Sequence, residues 1–232
     1  MMGCRGEIAL DPRLSMIARM IGPCECCADI GCDHGRLGAF LLQTGQCKAL
    51  QLTDISEPSL NKARSLMENL ELTDRVRFAV GDGLMALEGT PDVIAIAGMG
   101  GATIAQILAS GRERLGSARL VLQPNVAAPQ LRQALCGLDY AVTDEQVVQD
   151  GRRCYVVIQA APGIADYSLK QLTVGPVLLA RMPKALEPYA AFRLRVAKKA
   201  LAGALASEDE AQRVPLEREI AIWEEVWTCL QR

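Results

Sequence analysis

The residues best suited to chemistry lie together near the beginning of the chain, where positions 28–35 read Ala-Asp-Ile-Gly-Cys-Asp-His-Gly. The apolar run that ends here is typical of a strand, and Gly31 lets the backbone after it approach a ligand closely. Asp29 and Asp33 flank that glycine, and His34, the only histidine of the chain, follows them. The segment predicts a turn that opens onto a helix N-terminus and contacts a nucleotide-like cofactor through these four residues.

The charge of this turn distinguishes between types of cofactor. In the dinucleotide-binding pattern G-x-G-x-x-G, a glycine at the middle position lets the backbone approach a pyrophosphate. This chain has Asp33 at that position, and a carboxylate repels a pyrophosphate but attracts a cation. We therefore predict S-adenosylmethionine, whose sulfonium is positively charged, and a nicotinamide-dependent dehydrogenase is the disfavoured alternative.

Acidic residues also follow the next two predicted strands. Asp54 comes about 20 residues after the glycine turn, where a carboxylate can accept hydrogen bonds from both ribose hydroxyls. Asp82 lies between Gly81 and Gly83, so that its carboxylate can reach the amino group of an adenine while the glycines leave room for the ring. Because the carboxyl ends of parallel strands share one edge of a sheet, we expect the three strand-end carboxylates to line a single site.

The loop after the fourth predicted strand reads Ile-Ala-Gly-Met-Gly-Gly at positions 96–101. We predict that Gly98 and Met99 line the cofactor site on the side of the substrate. The loop has neither the Asn/Asp-Pro-Pro-aromatic motif of many amino-group methylases nor the cysteine nucleophile that methylation of pyrimidine carbon 5 requires. A glycine-rich loop instead suits a flat base held by backbone groups.

Alternating strands and helices position these residues and predict an α/β fold with a mostly parallel sheet. The last two predicted strands are separated only by a polar turn that contains Asp150 and Gly151, which predicts an antiparallel hairpin. This order is that of a Rossmann-like, seven-stranded class I methyltransferase sheet. Strands are expected at 27–30, 49–53, 76–80, 93–97, 120–123, 141–148 and 154–160.

The character of the chain changes after residue 163, so we predict a methyltransferase domain over 1–163 and a helical, coiled-coil-like domain over 164–232. Beyond residue 167 only the run 172–174 has the composition of a strand. Two long helical patterns follow, at 187–206 and 208–230, and indicate an antiparallel helical hairpin. The second carries an apolar stripe that is typical of a core face: Leu216, Ile220, Trp223, Trp227 and Leu230.

The composition excludes several classes of protein. Half of the 232 residues are hydrophobic and 22% are charged, the formal net charge is −2, and no apolar run approaches the ~20 residues of a membrane span. The nine cysteines are odd in number and scattered, which favours reduced thiols in a cytoplasmic protein. Cys24, Cys26 and Cys27 have the spacing C-x-C-C without a second pair, so we predict no metal site. We infer no membrane association and no obligate protein partner.

Five motifs occur in the same order as in a known family. They are Asp-Ile-Gly-x-Asp-His, Gly-Asp-Gly-Leu, Ile-Ala-Gly-Met-Gly-Gly, Leu-Gln-Pro-Asn at 122–125 and Gly-Pro-x-Leu-Leu at 175–179. The chain thereby resembles the bacterial tRNA adenine-22 N1-methyltransferases, over nearly its whole length. The resemblance implies a class I S-adenosylmethionine-dependent fold, a C-terminal helical domain that helps hold tRNA, and methylation of adenine N1. Where that family has an aromatic residue after Asp-His, this chain has Arg36, which we expect to stack on a base or meet a phosphate.

Two catalytic residues are proposed from the chemistry of adenine N1. Asp33, beside the expected sulfonium, is the first candidate to accept a hydrogen bond from the exocyclic amino group and later its proton. Asn125, after the fifth strand, is expected to bond the target base or to shape its pocket. Two alternatives remain open: methylation of another RNA position or another substrate, and a catalytically silent relative that only binds tRNA.

The predicted RNA surface is the basic segment between Lys170 and Lys199. It has seven basic residues and one acidic residue, a net charge of +6 in a chain whose total is −2. Such a segment favours contact with phosphates. The candidate contacts within it are Arg193, Arg195, Lys198 and Lys199, with Arg36 from the glycine turn.

Overall fold

The structure, a computed structural model, describes residues 6–207 and 210–231. Seven strands run through these residues: β1 (Cys24–Ile30), β2 (Cys47–Asp54), β3 (Val76–Val80), β4 (Val93–Met99), β5 (Arg119–Pro124), β6 (Tyr140–Asp150) and β7 (Arg153–Pro162). The described helices are α1 (Pro12–Ile21), α2 (Arg36–Gln43), α3 (Glu57–Asn69), α4 (Gly101–Ser110), α5 (Arg112–Leu115), α6 (Ala128–Gly137), α7 (Leu169–Val174), α8 (Pro176–Arg181), α9 (Leu186–Ala206) and α10 (Glu210–Leu230). The first two residues of the predicted helix 208–230 lie outside the described part of the chain.

All seven predicted strands form one sheet, in the order β3-β2-β1-β4-β5-β7-β6. The first five strands pair in parallel, and β7 pairs antiparallel with both β5 and β6. The β6–β7 hairpin is longer than predicted, because Asp150 pairs with Arg153 across a two-residue turn. Gly151 takes φ 58° in that turn, a value open to glycine. The predicted seven-stranded fold is therefore confirmed.

Each face of the sheet is covered by its own apolar cluster. On one face α1, α2 and α3 contribute residues such as Ile17, Leu41 and Met67, which are fully buried. On the other face the cluster joins α4 and α6 to the C-terminal helices, and Trp223 of α10 is 0% exposed within it. Trp223 packs edge-on against Tyr189 of α9, with ring centroids 5.6 Å apart. Trp227 and Leu230 of the α10 stripe pack against the same cluster, so this half of the stripe belongs to the core.

Residues 172–174, which have the composition of a strand, are helical and belong to α7. The Ser168 side chain caps α7 by accepting a hydrogen bond from the backbone N–H of Gln171. The side-chain oxygen of Gln171 in turn accepts from the backbone N–H of Ser168. This reciprocal cap starts the helix three residues earlier and outweighs the local strand propensity. In the part of the chain that the structure describes, no helix is both long and apolar enough to cross a bilayer.

A buried ion pair attaches the C-terminal helices to the sheet. Arg132 of α6 and Glu145 of β6 are both 0% exposed, with 2.7 Å between Nε and Oε1. The Arg132 guanidinium donates to carbonyls at the end of α7, including that of Leu172, and Glu145 accepts from the backbone N–H of Val177 in α8. A Cβ at Gly175 would collide with this carboxylate, so the joint between α7 and α8 requires glycine.

Candidate functional site

A cavity of about 390 Å³ opens at the carboxyl edge of the sheet, where β1, β2 and β3 end. Asp54 and Asp82 line it together with apolar groups such as Ile55 and Met85. Gly83 takes φ 54°, and a Cβ there would lie 2.9 Å from Ile107, so glycine is needed for the wall to close. Apolar walls with carboxylates between them suit a nucleoside, which needs a slot for its base and acceptors for its hydroxyl and amino groups.

Asp54 also holds the glycine turn in place. One of its carboxylate oxygens accepts a hydrogen bond from the backbone N–H of Asp33 at 3.1 Å, and the other accepts from that of Ser56 at 2.8 Å. Each oxygen keeps a second lone pair for a ligand. Next to it, the hydroxyl of Thr53 is buried and has no hydrogen-bond partner among the described residues, although Thr53 lines the cavity. Such an unpaired buried hydroxyl is consistent with a bound polar ligand.

A second cavity of about 360 Å³ adjoins the first and shares Gly31 and Met99 with it. The methyl group of Met99 lies directly against Gly31, so closely that a Cβ at Gly31 would overlap it. The Met99 side chain thus forms part of the partition between the two cavities. Asp29, Asp33, His34 and Gly98 line the second cavity, so the structure brings the residues of the predicted cofactor site to these two adjoining spaces.

Asp29 is the most perturbed carboxyl group of the site. It is 5% exposed, and no group within residues 6–207 and 210–231 donates a hydrogen bond to its carboxyl. Burial, and after it the negative charge of Asp54, raises the pKa of Asp29 to about 7. A buried carboxyl without a partner is stabilised by a cationic ligand, so this residue fits an ammonium or sulfonium group.

Asp33 and His34 occupy the outer part of the turn. Asp33 takes φ 48°, and its side chain is 73% exposed. His34 Nε2 lies 3.5 Å from an oxygen of Asp33 and 3.3 Å from Nζ of Lys62. His34 thus lies between a carboxylate and an ammonium group at the rim of the second cavity. The carboxylate of Asp33 keeps open acceptor positions at the mouth of the cavity.

Gly98 and Met99 lie at the end of β4, where its pairing with β5 is irregular, and they lead into α4. Asn125 takes part in a network of side-chain amides behind this bend of the chain, which we call the Gly98 loop. Its Nδ2 donates to the carbonyl of Gly98 at 2.6 Å, and its Oδ1 accepts from Nε2 of Gln123 at 3.1 Å. Gln123 is fully buried, and its Oε1 accepts from the backbone N–H of Gly98. The amide of Asn125 therefore fixes the loop and retains one N–H donor toward solvent.

Three comparisons with known proteins agree with this geometry. The methyltransferase domain family matches residues 10–158. The tRNA (adenine(22)-N(1))-methyltransferase of Bacillus subtilis (strain 168) is 33% identical over 188 residues, which cover 80% of this chain and 79% of that protein. This chain belongs to the tRNA (adenine(22)-N(1))-methyltransferase family. The predicted family is thereby confirmed.

Solved structures of this methyltransferase family share the whole fold. The crystal structure of the B. subtilis m1A22 tRNA methyltransferase superimposes with a TM-score of 0.86 at 27% identity, covering 95% of this chain and 100% of the other. A Streptococcus pneumoniae structure, solved in complex with S-adenosyl-L-methionine, gives a TM-score of 0.85 at 26% identity and covers 94% and 100% of the two chains. The C-terminal helices are thus part of the architecture common to these methyltransferases.

The basic segment carries less free positive charge than its sequence indicates. Lys170, Arg181, Arg193 and Lys198 each form an ion pair with an acidic residue of β6 or α10. Arg193 is only 17% exposed and lies 2.5 Å from Glu219, so this residue faces α10. The net charge of +6 counted along this segment therefore overstates the free positive charge of the folded surface, because the count omits acids from other elements. Among the described residues, Lys184, Arg195 and Lys199 have no acidic partner.

Arg36 lines the second cavity, and Nη2 of its guanidinium donates to the carbonyl of Ala9 at 2.6 Å. It therefore ties the segment before α1 to the beginning of α2. Within the described ranges, no three His, Cys, Asp or Glu side chains are placed to hold a metal ion.

Sequence reasoning did not assign three residues that the fold brings to the site: Arg13, Thr53 and Gln123. Gln123 belongs to the Leu-Gln-Pro-Asn motif, so its position within a family motif was the available signal. Thr53 directly precedes Asp54, and only its burial without a partner distinguishes it. Arg13 lies before the first strand, and nothing in the local pattern connects it with the site.

Proposed function

We propose that this protein transfers a methyl group from S-adenosylmethionine to N1 of adenine 22 in tRNA. The observation that carries the proposal is the pair of cavities that meet at Gly31. On one side lies the buried carboxyl of Asp29, which has no hydrogen-bond donor among the described residues, and on the other lie Asp54 and Asp82. This arrangement suits a molecule with a nucleoside at one end and a cationic amino-acid group at the other. Membership of the methyltransferase family supports the same conclusion.

The residues present fit this cofactor from end to end. Asp82 and the glycine Gly83 would hold the adenine, and Asp54 would accept from the ribose hydroxyls. In the second cavity Asp29 would bind the α-ammonium group, while Gly98 and His34 line the space around the methionine chain. When bound, the cofactor would supply a methyl group on a positively charged sulfur, and the electron pair of the carbon–sulfur bond would stay on sulfur when the methyl group is transferred.

The chain contributes positioning and proton handling to this reaction. Adenine N1 has an in-plane lone pair that a base pair normally hides, so the base must reach the site unpaired or extruded. Methylation leaves a positive charge on the purine. Asp33 would accept a hydrogen bond from the exocyclic amino group and then take its proton, while Asn125 holds the Gly98 loop beside the base and offers its remaining N–H.

We propose that residues 1–163 form the domain that binds the cofactor and that residues 164–232 help to bind tRNA. We also propose that the protein acts in the cytoplasm. Arg195, Lys198 and Lys199 lie exposed on α9, and Arg36 lies at the mouth of the second cavity. Arg195 stacks over the ring of Phe192, with 5.6 Å between its guanidinium carbon and the ring centroid. Arg193 would act indirectly, by holding α9 against α10.

The experiment that tests the function maps the methylated nucleotide. Unmodified tRNA transcript is incubated with the protein and S-adenosylmethionine, digested, and analysed by mass spectrometry of the nucleoside and of its fragment. We expect 1-methyladenosine at position 22 and no product with a transcript whose adenine 22 is replaced by guanine. Methylation elsewhere would refute the position, and binding of tRNA without any methyl transfer would refute the activity.

A further inference from the structure

Arg13, the second residue of α1, has its charged group fixed at the second cavity by neutral partners. Its Nη1 donates to Oε1 of Gln123 at 2.8 Å, the same oxygen that accepts the backbone N–H of Gly98. Its guanidinium carbon lies 5.9 Å from the ring centroid of Tyr155. Because Gln123 is fully buried, these contacts hold the guanidinium beside Gly98 rather than in solvent.

The positive charge of Arg13 has no counterion in the described part of the chain. Its hydrogen-bond partner is an amide and its ring contact is a phenol, and it forms no ion pair with Asp29 or Asp33, although both line the same cavity. Arg13 is half-buried, and a partly desolvated cation gains more from an anion than an exposed one does. The single bond to Gln123 leaves other guanidinium N–H groups for a ligand.

We propose that Arg13 binds the α-carboxylate of the methionine part of the cofactor, while Asp29 binds the α-ammonium group. This inference rests on the proposed function, which places a methionine chain in the second cavity. A free amino acid carries one charge of each sign. The cavity offers a carboxyl and a guanidinium that have no partner of opposite charge among the described residues. The planar fork of arginine matches a carboxylate through two parallel N–H bonds.

The contrast with Arg36 favours the cofactor over an RNA phosphate as the partner of Arg13. Both arginines line the second cavity, but Arg36 is exposed on α2 and holds the segment before α1, whereas Arg13 is half-buried and bonded to the loop that carries Gly98. A phosphate on the outside of tRNA would reach the exposed arginine first. Arg13 is joined by Gln123 to the same backbone that faces the cofactor.

The test compares two ligands that differ only in the carboxylate: S-adenosylhomocysteine and its decarboxylated analogue. Their dissociation constants are measured by calorimetry for the wild type, Arg13→Met and Arg13→Lys, with Arg19→Met, an exposed arginine of the same helix, as the matched control. We expect Arg13→Met to raise the Kd for S-adenosylhomocysteine by about 10- to 100-fold, the range for loss of a hydrogen bond to a charged group. The Kd for the decarboxylated analogue should change by less than about twofold. Arg13→Lys should bind S-adenosylhomocysteine more tightly than Arg13→Met does, although less tightly than the wild type.

Three outcomes would overturn this assignment. Equal weakening of both ligands would mean that Arg13 only supports the Gly98 loop. Unchanged affinity for both, with a smaller salt dependence of the KM for tRNA, would assign Arg13 to a phosphate. Failure of Arg13→Lys to bind better than Arg13→Met would exclude a charge-dependent contact. If the wild type bound neither ligand, the proposed function itself would fail, a result distinct from these three.

Discussion

Affinity for the cofactor should depend on pH through Asp29. The pKa of this carboxyl is raised to about 7 by burial and by the charge of Asp54, and an ammonium group binds only its ionised form well. Half of the carboxyl is ionised at its pKa and about one tenth one pH unit below it. The apparent Kd for S-adenosylhomocysteine should therefore rise about fivefold between pH 7 and pH 6, and about tenfold for the next unit. Above pH 8 it should be constant.

The same shift predicts an effect on stability with a definite sign. In the unfolded chain Asp29 ionises near its ordinary value of 3.8, while in the folded protein it keeps its proton up to about pH 7. The unfolded state therefore loses its proton first, so this group lowers stability progressively from about pH 4 to pH 7. Three units correspond to about 4 kcal/mol at most. Asp29→Asn should thus raise the Tm of the free protein at pH 8 and leave it unchanged at pH 4.

Calorimetry in two buffers with different ionisation enthalpies measures both the Kd and the protons released on binding. The wild type should release nearly one proton at pH 6 and none at pH 8.5, whereas Asp29→Asn should release none at either pH and bind more weakly at pH 8.5. A Kd for the wild type that stays constant between pH 5.5 and 8.5, or the same pH dependence in Asp29→Asn, would refute this reasoning.

Four further predictions concern catalysis, packing and RNA. Asp33→Ala should lower kcat by about 10²-fold or more, the usual effect of losing a general base, and leave the Kd for S-adenosylhomocysteine unchanged. An unchanged kcat would exclude Asp33 as the general base. Gly31→Ala should raise the Kd for S-adenosylhomocysteine at least about tenfold, because of strain at φ 71° and overlap with Met99. Adding Met99→Ala to this variant should restore part of the affinity, and no recovery would exclude the overlap as the cause. Arg132→Met should lower the free energy of unfolding, measured in urea, by about 3–5 kcal/mol, because Glu145 is then buried without its ion-pair partner. Arg112→Met, which removes an exposed ion pair, should lower it by less than about 1 kcal/mol. Equal losses would contradict an effect of burial. Lys199→Glu should raise the KM for tRNA and reduce the slope of log KM against log salt concentration by about one. Lys48→Glu, on β2, should change neither value. Identical slopes for the two variants would exclude a phosphate contact of Lys199.

The fold was largely predictable from the sequence because its signals are local. Each parallel strand is a short apolar run between polar segments, and the Asp150-Gly151 turn marks the hairpin that completes the sheet. Residues 172–174 show the limit of composition, because a reciprocal cap between Ser168 and Gln171 stabilises a helix in a run that has the composition of a strand. The sequence also predicted that Asp29, Asp54 and Asp82 lie at one edge of the sheet, because the ends of parallel strands share that edge.

The electrostatics of the surface and of the core were not predictable in this way. Counting charges along 170–199 assigned a strongly basic face, but acids from β6 and α10 neutralise four of its seven cations. The partner of Arg132 is thirteen residues away on another element, and the groups that both bind lie some thirty to forty residues further along. Ion pairs between elements depend on which faces meet, and periodicity within one element contains no information about that.

By itself, the sequence determined the order of strands, the strand-end carboxylates and the cation they are suited to bind, because alternation, glycine turns and residue type act over a few neighbouring positions. Only the tertiary structure decided that the carboxyl of Asp29 is buried without a partner in the part of the chain that the structure describes. It also decided that Met99 lies against Gly31 and that Arg13 reaches the second cavity from a helix before the first strand. Burial and pairing are properties of segments that meet in space, and the free energy of a charge depends on those surroundings.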